Sequence, residues 1–276
     1  METDLVMLLL SSALLTISSI TDFRRKEVPD FLTNTFILFG ILSQLTIFLS
    51  TWNWSRLIWV TISSTFSIAV GMLLYFSGIW GGGDVKVLAA CALLFGYVGE
   101  DELFFLKFFS NFLLVGALYG SVFFLLVFLR NFSKISKERK IANFTLIILI
   151  FLSSLLFSDF WYMIVMTGFL IWLSLNADWV ENSMKKYVEI PKLTEGDWLV
   201  RPVRYGRIVV EPRATGLTRE DLRKLKKLYR MGRVKKVLIK EGVPFVPAFL
   251  VAFILTLIFR DFLVLKLVTS SLVVSP

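Results

Sequence analysis

Charge-free apolar stretches dominate the chain. Segments 5–21, 31–50, 57–83, 108–129, 141–158, 160–177 and 243–259 contain no Asp, Glu, Lys or Arg, and a helix of roughly 20 such residues crosses a bilayer's hydrocarbon core. A further run, 85–99, is interrupted only by Lys86; at 1.5 Å per residue it covers about 22 Å and spans only if Lys86 snorkels to one surface. The pattern predicts a mainly α, polytopic membrane helix bundle of six to eight spans. The 141–177 pair, the short 85–99 run and the apolar tail at 262–273 leave the count open.

One long polar stretch, 177–242, interrupts the pattern. Thr218 is a predicted N-cap, Leu217 a staple, and Leu222, Leu225, Leu228 and Tyr229 recur at helical spacing until Gly232 ends the helix. Short β-branched or apolar runs at 198–200, 207–210 and 234–239 are predicted strands. The division that follows is a bundle over 1–176, a small α+β domain over 177–242, and a final span with apolar tail over 243–276.

Composition narrows the chemistry. Hydrophobic residues are 56% of the 276 and charged residues 18%, too little polar surface for a soluble globule of this size. The chain has no histidine and one cysteine, Cys91, which excludes Ser-His and Cys-His catalysis, Cys-rich zinc sites and internal disulfides. No metal site and no cofactor are expected. The +9 charge first reports topology. With alternating spans, every basic residue except Arg56, Lys107, Arg260 and Lys266 falls on one side, which the positive-inside rule makes the cytoplasm. Acidic residues precede the first apolar run and Arg24, Arg25 and Lys26 follow it, so that run reads as a retained anchor with its N-terminus outside. The 177–242 domain, with seventeen basic against nine acidic residues, is then cytoplasmic. It suits anionic membrane lipid better than nucleic acid, for which no recognition motif is present.

Two carboxylates adjoin the spans and need a reason. Asp22 closes the first span and Asp84 follows Gly81-Gly82-Gly83 at the start of the fourth. Two spans separate them, so both face the same side and can meet. Paired carboxylates without histidine or metal are the minimal equipment of acid–base peptide hydrolysis. The competing reading of Gly-Gly-Gly-Asp is an ordinary turn and helix cap.

These residues resemble the archaeal preflagellin and prepilin peptidases, the type IV prepilin peptidase group of GxGD membrane aspartic proteases. The likeness rests on Asp22 followed by Val28-Pro29, on Gly81-Gly82-Gly83-Asp84 with Lys86 two residues on, and on Pro244-Phe245-Val246-Pro247, similar to the family's Pro-Phe-x-Pro element. The resemblance implies that Asp22 and Asp84 are the catalytic pair. It implies as partners precursor pilins or flagellins, whose short basic leader is cut from an apolar helix at the inner membrane face. Lys86 either orients Asp84 or snorkels. Pro244 and Pro247, around Phe245, either leave an extended substrate-binding segment or begin a helix. Glu27 and Asp30 either meet basic leader residues or are simply solvated. Bacterial relatives add a cysteine-bound zinc domain and N-methyltransferase activity. One cysteine cannot build that domain, so peptidase activity alone is expected. Presenilin and signal peptide peptidase share Gly-x-Gly-Asp but pair it with Tyr-Asp, whereas Asp22 follows Thr21.

The rival reading is a transporter or ion pathway, which also uses membrane carboxylates. Against it, both aspartates lie at one face. The remaining acidic residues near spans, Glu100, Asp101, Glu102, Asp159 and Asp261, are expected at solvated loops.

Overall fold

Residues 2–157, 160–206 and 208–263 are described by a computed structural model. Apolar periodicity becomes helix nearly throughout. The chain runs α1 (Glu2–Arg25), α2 (Asp30–Thr51), α3 (Trp54–Phe76), α4 (Gly82–Phe95), α5 (Phe104–Arg130), α6 (Lys137–Leu156) and α7 (Trp161–Ser183), then a polar unit, then α9 (Val246–Phe259), with α8 inside the polar unit. Among the described residues α1, α2, α3, α5, α6 and α7 are long and apolar enough to cross a membrane. Large side chains such as Leu9, Leu45, Leu118 and Phe151 remain exposed, as a lipid-facing surface requires. The chain is a multi-pass membrane protein built as a mainly α bundle.

The two short helices form the centre. At fourteen residues each, α4 and α9 reach about 21 Å and are enclosed by longer neighbours. α4 packs on α1, α2 and α3, and α9 lies against α1 and α5. Leu88, Ala90, Cys91, Leu94 and Phe95 of α4 share one core with Ala248, Phe249 and Phe253 of α9 and with Phe105, Phe108 and Phe112 of α5. This corrects the sequence reading of the fourth run. It does not depend on Lys86 snorkelling to span, because surrounding helices bury it. The charge-free 57–83 segment is not one helix either. It breaks after Phe76, where Ser77–Gly81 turn through Gly78 at φ +70°, a conformation that favours glycine.

Close approach explains why α4 sits so deep. A methyl on Gly71 of α3 would stand 2.7 Å from Val85 Cγ1, and one on Gly40 of α2 would stand 2.9 Å from Leu93 Cβ. Small residues at helix seams let backbones draw together. The α6–α7 hairpin packs chiefly on itself. Asn143 and Asn176 exchange side-chain amide hydrogen bonds of 3.2 and 2.8 Å across it, and Phe128 of α5 stacks edge-on to Trp172 and Trp179 of α7.

In the polar unit, β1 (Lys185–Glu189), β5 (Lys236–Lys240) and β2 (Trp198–Leu199) form an antiparallel sheet in the order β1-β5-β2. Lys185 pairs with Lys240, and Trp198 with the same Lys240. β3 (Val203–Tyr205) and β4 (Ile208–Val210) make a hairpin. α8 (Arg219–Arg230) is capped by Thr218, whose hydroxyl accepts from the Asp221 amide while Asp221 accepts from the Thr218 amide. Leu217, Leu225, Val237 and Ile239 bury together. Tyr229, expected on the apolar face, is exposed, because Leu222, Leu225 and Leu228 form the inward stripe and Tyr229 falls at its edge. The predicted strand start at 207, Asp159 and the tail beyond 263 lie outside the described residues.

Candidate active site

Local chain chemistry builds the site from three turns. The first follows Asp22. α1 stops at Arg25, Lys26 adopts φ +57° and its amide donates to the Asp22 carbonyl at 2.7 Å, a left-handed helix ending. Pro29 then precedes α2 with the φ of −60° that its ring imposes. Val28, between them, is buried.

The second turn presents Asp84. It is the third residue of α4, and its Oδ2 accepts from the amide of the N-cap residue Gly81 at 3.0 Å, the carboxylate half of a capping box. The three glycines do different things. Gly83 faces Val28, where a Cβ would stand 3.3 Å from Val28 Cβ. Gly82 is exposed, and a Cβ there would meet only Tyr75, at 3.8 Å. The Asp22 turn and the Asp84 turn therefore touch through Val28 and Gly83. Asp22 and Asp84 are close enough to interact electrostatically.

The third turn leads into α9. The Val246 amide donates to Asp22 Oδ2 at 2.9 Å, and the Phe245 amide lies close to the same carboxylate. Phe245 is fixed by its ring, which lies 5.6 Å from Phe112, 6.2 Å from Tyr119 and 6.4 Å from Trp80. Gly116 makes room for it. Pro244 is buried, and Pro247 starts α9 in the first turn, where proline lacks nothing it needs. The Pro-Phe-Val-Pro segment thus supplies a main-chain donor to Asp22. Sequence reasoning missed that donor because a backbone amide carries no residue signature.

Asp22 is only 6% exposed, and among the described residues neither it nor Asp84 is in an ion pair. Lys86 points elsewhere: its ammonium is 2.6 Å from Asp30 Oδ1, so it neither touches Asp84 nor hangs free. Asp30 is therefore engaged rather than merely solvated. Glu27 lies in the turn between Asp22 and α2, with its carboxyl pushed above the usual range by burial and by the charges of Asp197, Asp30 and Glu195, against which Arg25 acts. Asp197 and Glu195 belong to the polar unit, which reaches the site in two further ways. Glu241 Oε1 lies 2.7 Å from both Lys26 and Lys186, and Ala214 packs on Gly78 beside the Asp84 turn. Among the described residues no cluster of three metal-ligating side chains is present.

Two other acidic residues differ from their expected solvation. Asp101 pairs with Lys107 at 2.9 Å and Glu102 accepts from Ser55 at 2.7 Å; both are partly buried because the turn that carries them folds back on α3 and α5.

The resemblance read from the motifs holds beyond them. Residues 9–129, which contain both aspartates, match the model described as the Type IV leader peptidase family, a family of peptidases. No curated protein and no solved structure matches the chain.

Proposed function

We propose, from the kinship of residues 9–129 with the type IV leader peptidases, that this chain is a membrane aspartic endopeptidase whose catalytic groups are Asp22 and Asp84. Its substrates are precursor pilins or flagellins, cut between a short basic leader and an apolar helix. One observation carries the reading: two carboxylates from α1 and α4, free of ion pairs among the described residues, meet at one end of the bundle. A transport pathway would need ionisable groups continuing through the bundle from that pair, and the cluster beneath them is chiefly aromatic and aliphatic, with single hydroxyls such as Ser11 and Ser67 buried beside it.

In the proposed reaction one carboxylate takes a proton from water as the water oxygen bonds to the scissile carbonyl carbon. The other carboxyl gives its proton to the carbonyl oxygen. Collapse of the tetrahedral intermediate breaks the C–N bond; the leaving nitrogen takes up the proton first drawn from water, and one hydroxyl proton of the intermediate returns to the carboxylate that had donated to the carbonyl oxygen, restoring the pair. The reaction requires water and the two carboxyls alone. The amides of Val246 and Gly81 fix the carboxylates, so little reorganisation precedes the transition state. Gly81, Gly82 and Gly83 admit the chain, and Glu27, in the turn after Asp22 and in no ion pair among the described residues, offers a carboxylate to a basic leader.

The distribution of basic residues supports an orientation in the plasma membrane with the N-terminus outside and residues 177–242 cytoplasmic, which sets the pair at the inner face. In this reading 1–176 is the catalytic bundle, 177–242 a basic domain against anionic lipid and 243–276 the closing span. One cysteine leaves no zinc domain, so no N-methyltransferase activity accompanies the peptidase. The test is co-expression with a precursor pilin or flagellin. Asp22→Asn and Asp84→Asn should each abolish leader removal while membrane insertion stays intact; processing by either variant at the parental rate refutes the assignment.

A further inference from the structure

At the end of the bundle opposite Asp22 and Asp84 lies a buried polar network that the peptidase reading does not use. Arg56, in the first turn of α3, pairs with Asp4, in the first turn of α1, at 2.7 Å. Arg56 Nε donates to Gln44 Oε1 of α2 at 3.0 Å, and Gln44 Nε2 donates to the Leu93 carbonyl of α4 at 2.7 Å. The guanidinium also lies 5.5 Å from the centre of the Tyr97 ring, just past α4. Asp4, Gln44 and Arg56 are all buried. One arginine and one glutamine thereby connect four helices, and the two they connect indirectly are α1 and α4, which carry Asp22 and Asp84.

Apolar helix seams fix separation better than axial register, because one ridge-in-groove setting differs little from the next. A buried charge pair does the opposite, because any shifted register leaves a charge unpaired; here Arg56 engages through Nε and Nη1, while Nη2 is buried without a hydrogen-bond partner among the described residues. α1 runs unbroken from Asp4 to Asp22, about 27 Å at 1.5 Å per residue, so an axial slip at one end arrives at the other. Gly40, one turn before Gln44, brings α2 close to α4 at the same Leu93, where a Cβ would stand 2.9 Å from Leu93 Cβ. The seam and the hydrogen bond therefore grip α4 at one level.

We propose that Asp4, Arg56 and Gln44 form a register clamp that sets Asp22 against Asp84 from the far end of the bundle. Arg56 is a positioning residue: it gives no atom to the reaction and acts through α1 and α4. The activity part of this inference rests on the peptidase reading; the geometric part does not.

A disulfide reporter separates the two. With Cys91→Ala removing the one native thiol, Val28→Cys and Gly83→Cys bring together positions whose Cβ atoms lie 3.3 Å apart, within a small adjustment of disulfide geometry. In membranes under mild oxidant this pair should close rapidly. Asp4→Leu combined with Arg56→Met replaces the ion pair by apolar side chains, which buried sites tolerate without loss of stability. In that variant the full-length protein should insert normally, yet disulfide closure should slow at least tenfold. Without the reporter cysteines, kcat for a precursor should fall about tenfold with KM unchanged, as an ångström-scale misplacement of reacting groups predicts. Asp4→Glu, which keeps the charge, should recover most of both. If the double variant does not insert, Gln44→Met, which removes the bonds to Arg56 and to the Leu93 carbonyl of α4 and keeps the Arg56–Asp4 pair, carries the same expectation. Closure at the parental rate in the inserted variant overturns the clamp, whatever the activity. Slowed closure alongside a parent that cleaves no precursor upholds the clamp and removes the peptidase reading instead.

Discussion

Replacing Gly71 by alanine tests whether the seating of α4 controls the chemistry. The new methyl would stand 2.7 Å from Val85 Cγ1, where ordinary contact begins at 3.4 Å. Val85 is β-branched and stiff at χ1, so α4 must yield by up to 0.7 Å, and Val85 adjoins Asp84. Adding a methyl to a packed seam costs about 1–3 kcal/mol, offset in part by the gain of about 1 kcal/mol for alanine over glycine within a helix. The protein should therefore stay folded. Reacting groups must be held to about 0.5 Å, and an error of about 1 Å costs about a hundredfold, so a displacement of this size should lower kcat about tenfold. Because the substrate surface is untouched, KM should change little. Val85→Ala added to Gly71→Ala removes the Cγ1 contact and should return kcat to within about threefold of the parent, an energy difference under about 0.7 kcal/mol. The assay is precursor cleavage by purified protein, with thermal unfolding as control. Parental kcat in folded Gly71→Ala, or a double variant no better than the single, refutes the argument.

The remaining predictions address other parts of the molecule. Trp80 packs edge-on to Phe112 and Phe249 beneath the Asp84 turn, so Trp80→Ala should cost about 3–5 kcal/mol in detergent unfolding. Thr218→Ala removes the α8 cap and should cost about 1 kcal/mol, read by hydrogen exchange across 219–230 in the full chain. Burial opposes ionisation of Asp221, but its bonds from Thr218 and the Arg213 charge outweigh this and hold its carboxyl below 3.8. Its contribution is present above pH 3.8 and lost as pH falls through the lowered value, so Asp221→Asn should weaken exchange protection of α8 near neutrality and make no difference in strong acid. Glu27 titrates the other way. Its carboxyl is raised above 4.5, so any stabilisation exists below pH 4.5 and disappears as pH rises through the raised value; protection of residues 194–197 should fall over that interval in the parent and not in Glu27→Gln. Asn143→Leu should leave precursor cleavage unchanged and loosen α6 from α7 by about 0.6 kcal/mol.

The bundle was legible from charge-free runs, and the α8 cap from Thr218 and Asp221, because both depend on neighbours in sequence. Asp22 and Asp84 stood out for the same reason: charge beside an apolar run is conspicuous, and counting spans brings both to one end. Three features were not legible. The 57–83 run hides a helix break because Gly78 and the following turn carry no charge. The Val246 amide on Asp22 depends on contact across more than two hundred residues and on a main-chain group that every residue except proline has. Arg56 entered the sequence reading only as one of four outer basic residues, because topology counting weighs sign and not burial; only the packing reveals Asp4 and Gln44 around it. For Lys86 the sequence offered Asp84 or snorkelling, and neither reading pointed to Asp30 on the neighbouring helix.

The central claim is that Asp22 and Asp84 together direct water onto a peptide bond. Single-turnover cleavage of a precursor in ¹⁸O-labelled water, by protein reconstituted in vesicles and followed by mass spectrometry of the released leader, tests it most directly. The account predicts one ¹⁸O in the leader's new carboxylate with the parent, and no product with Asp22→Asn or Asp84→Asn. Labelled leader released at the parental rate by either variant contradicts it.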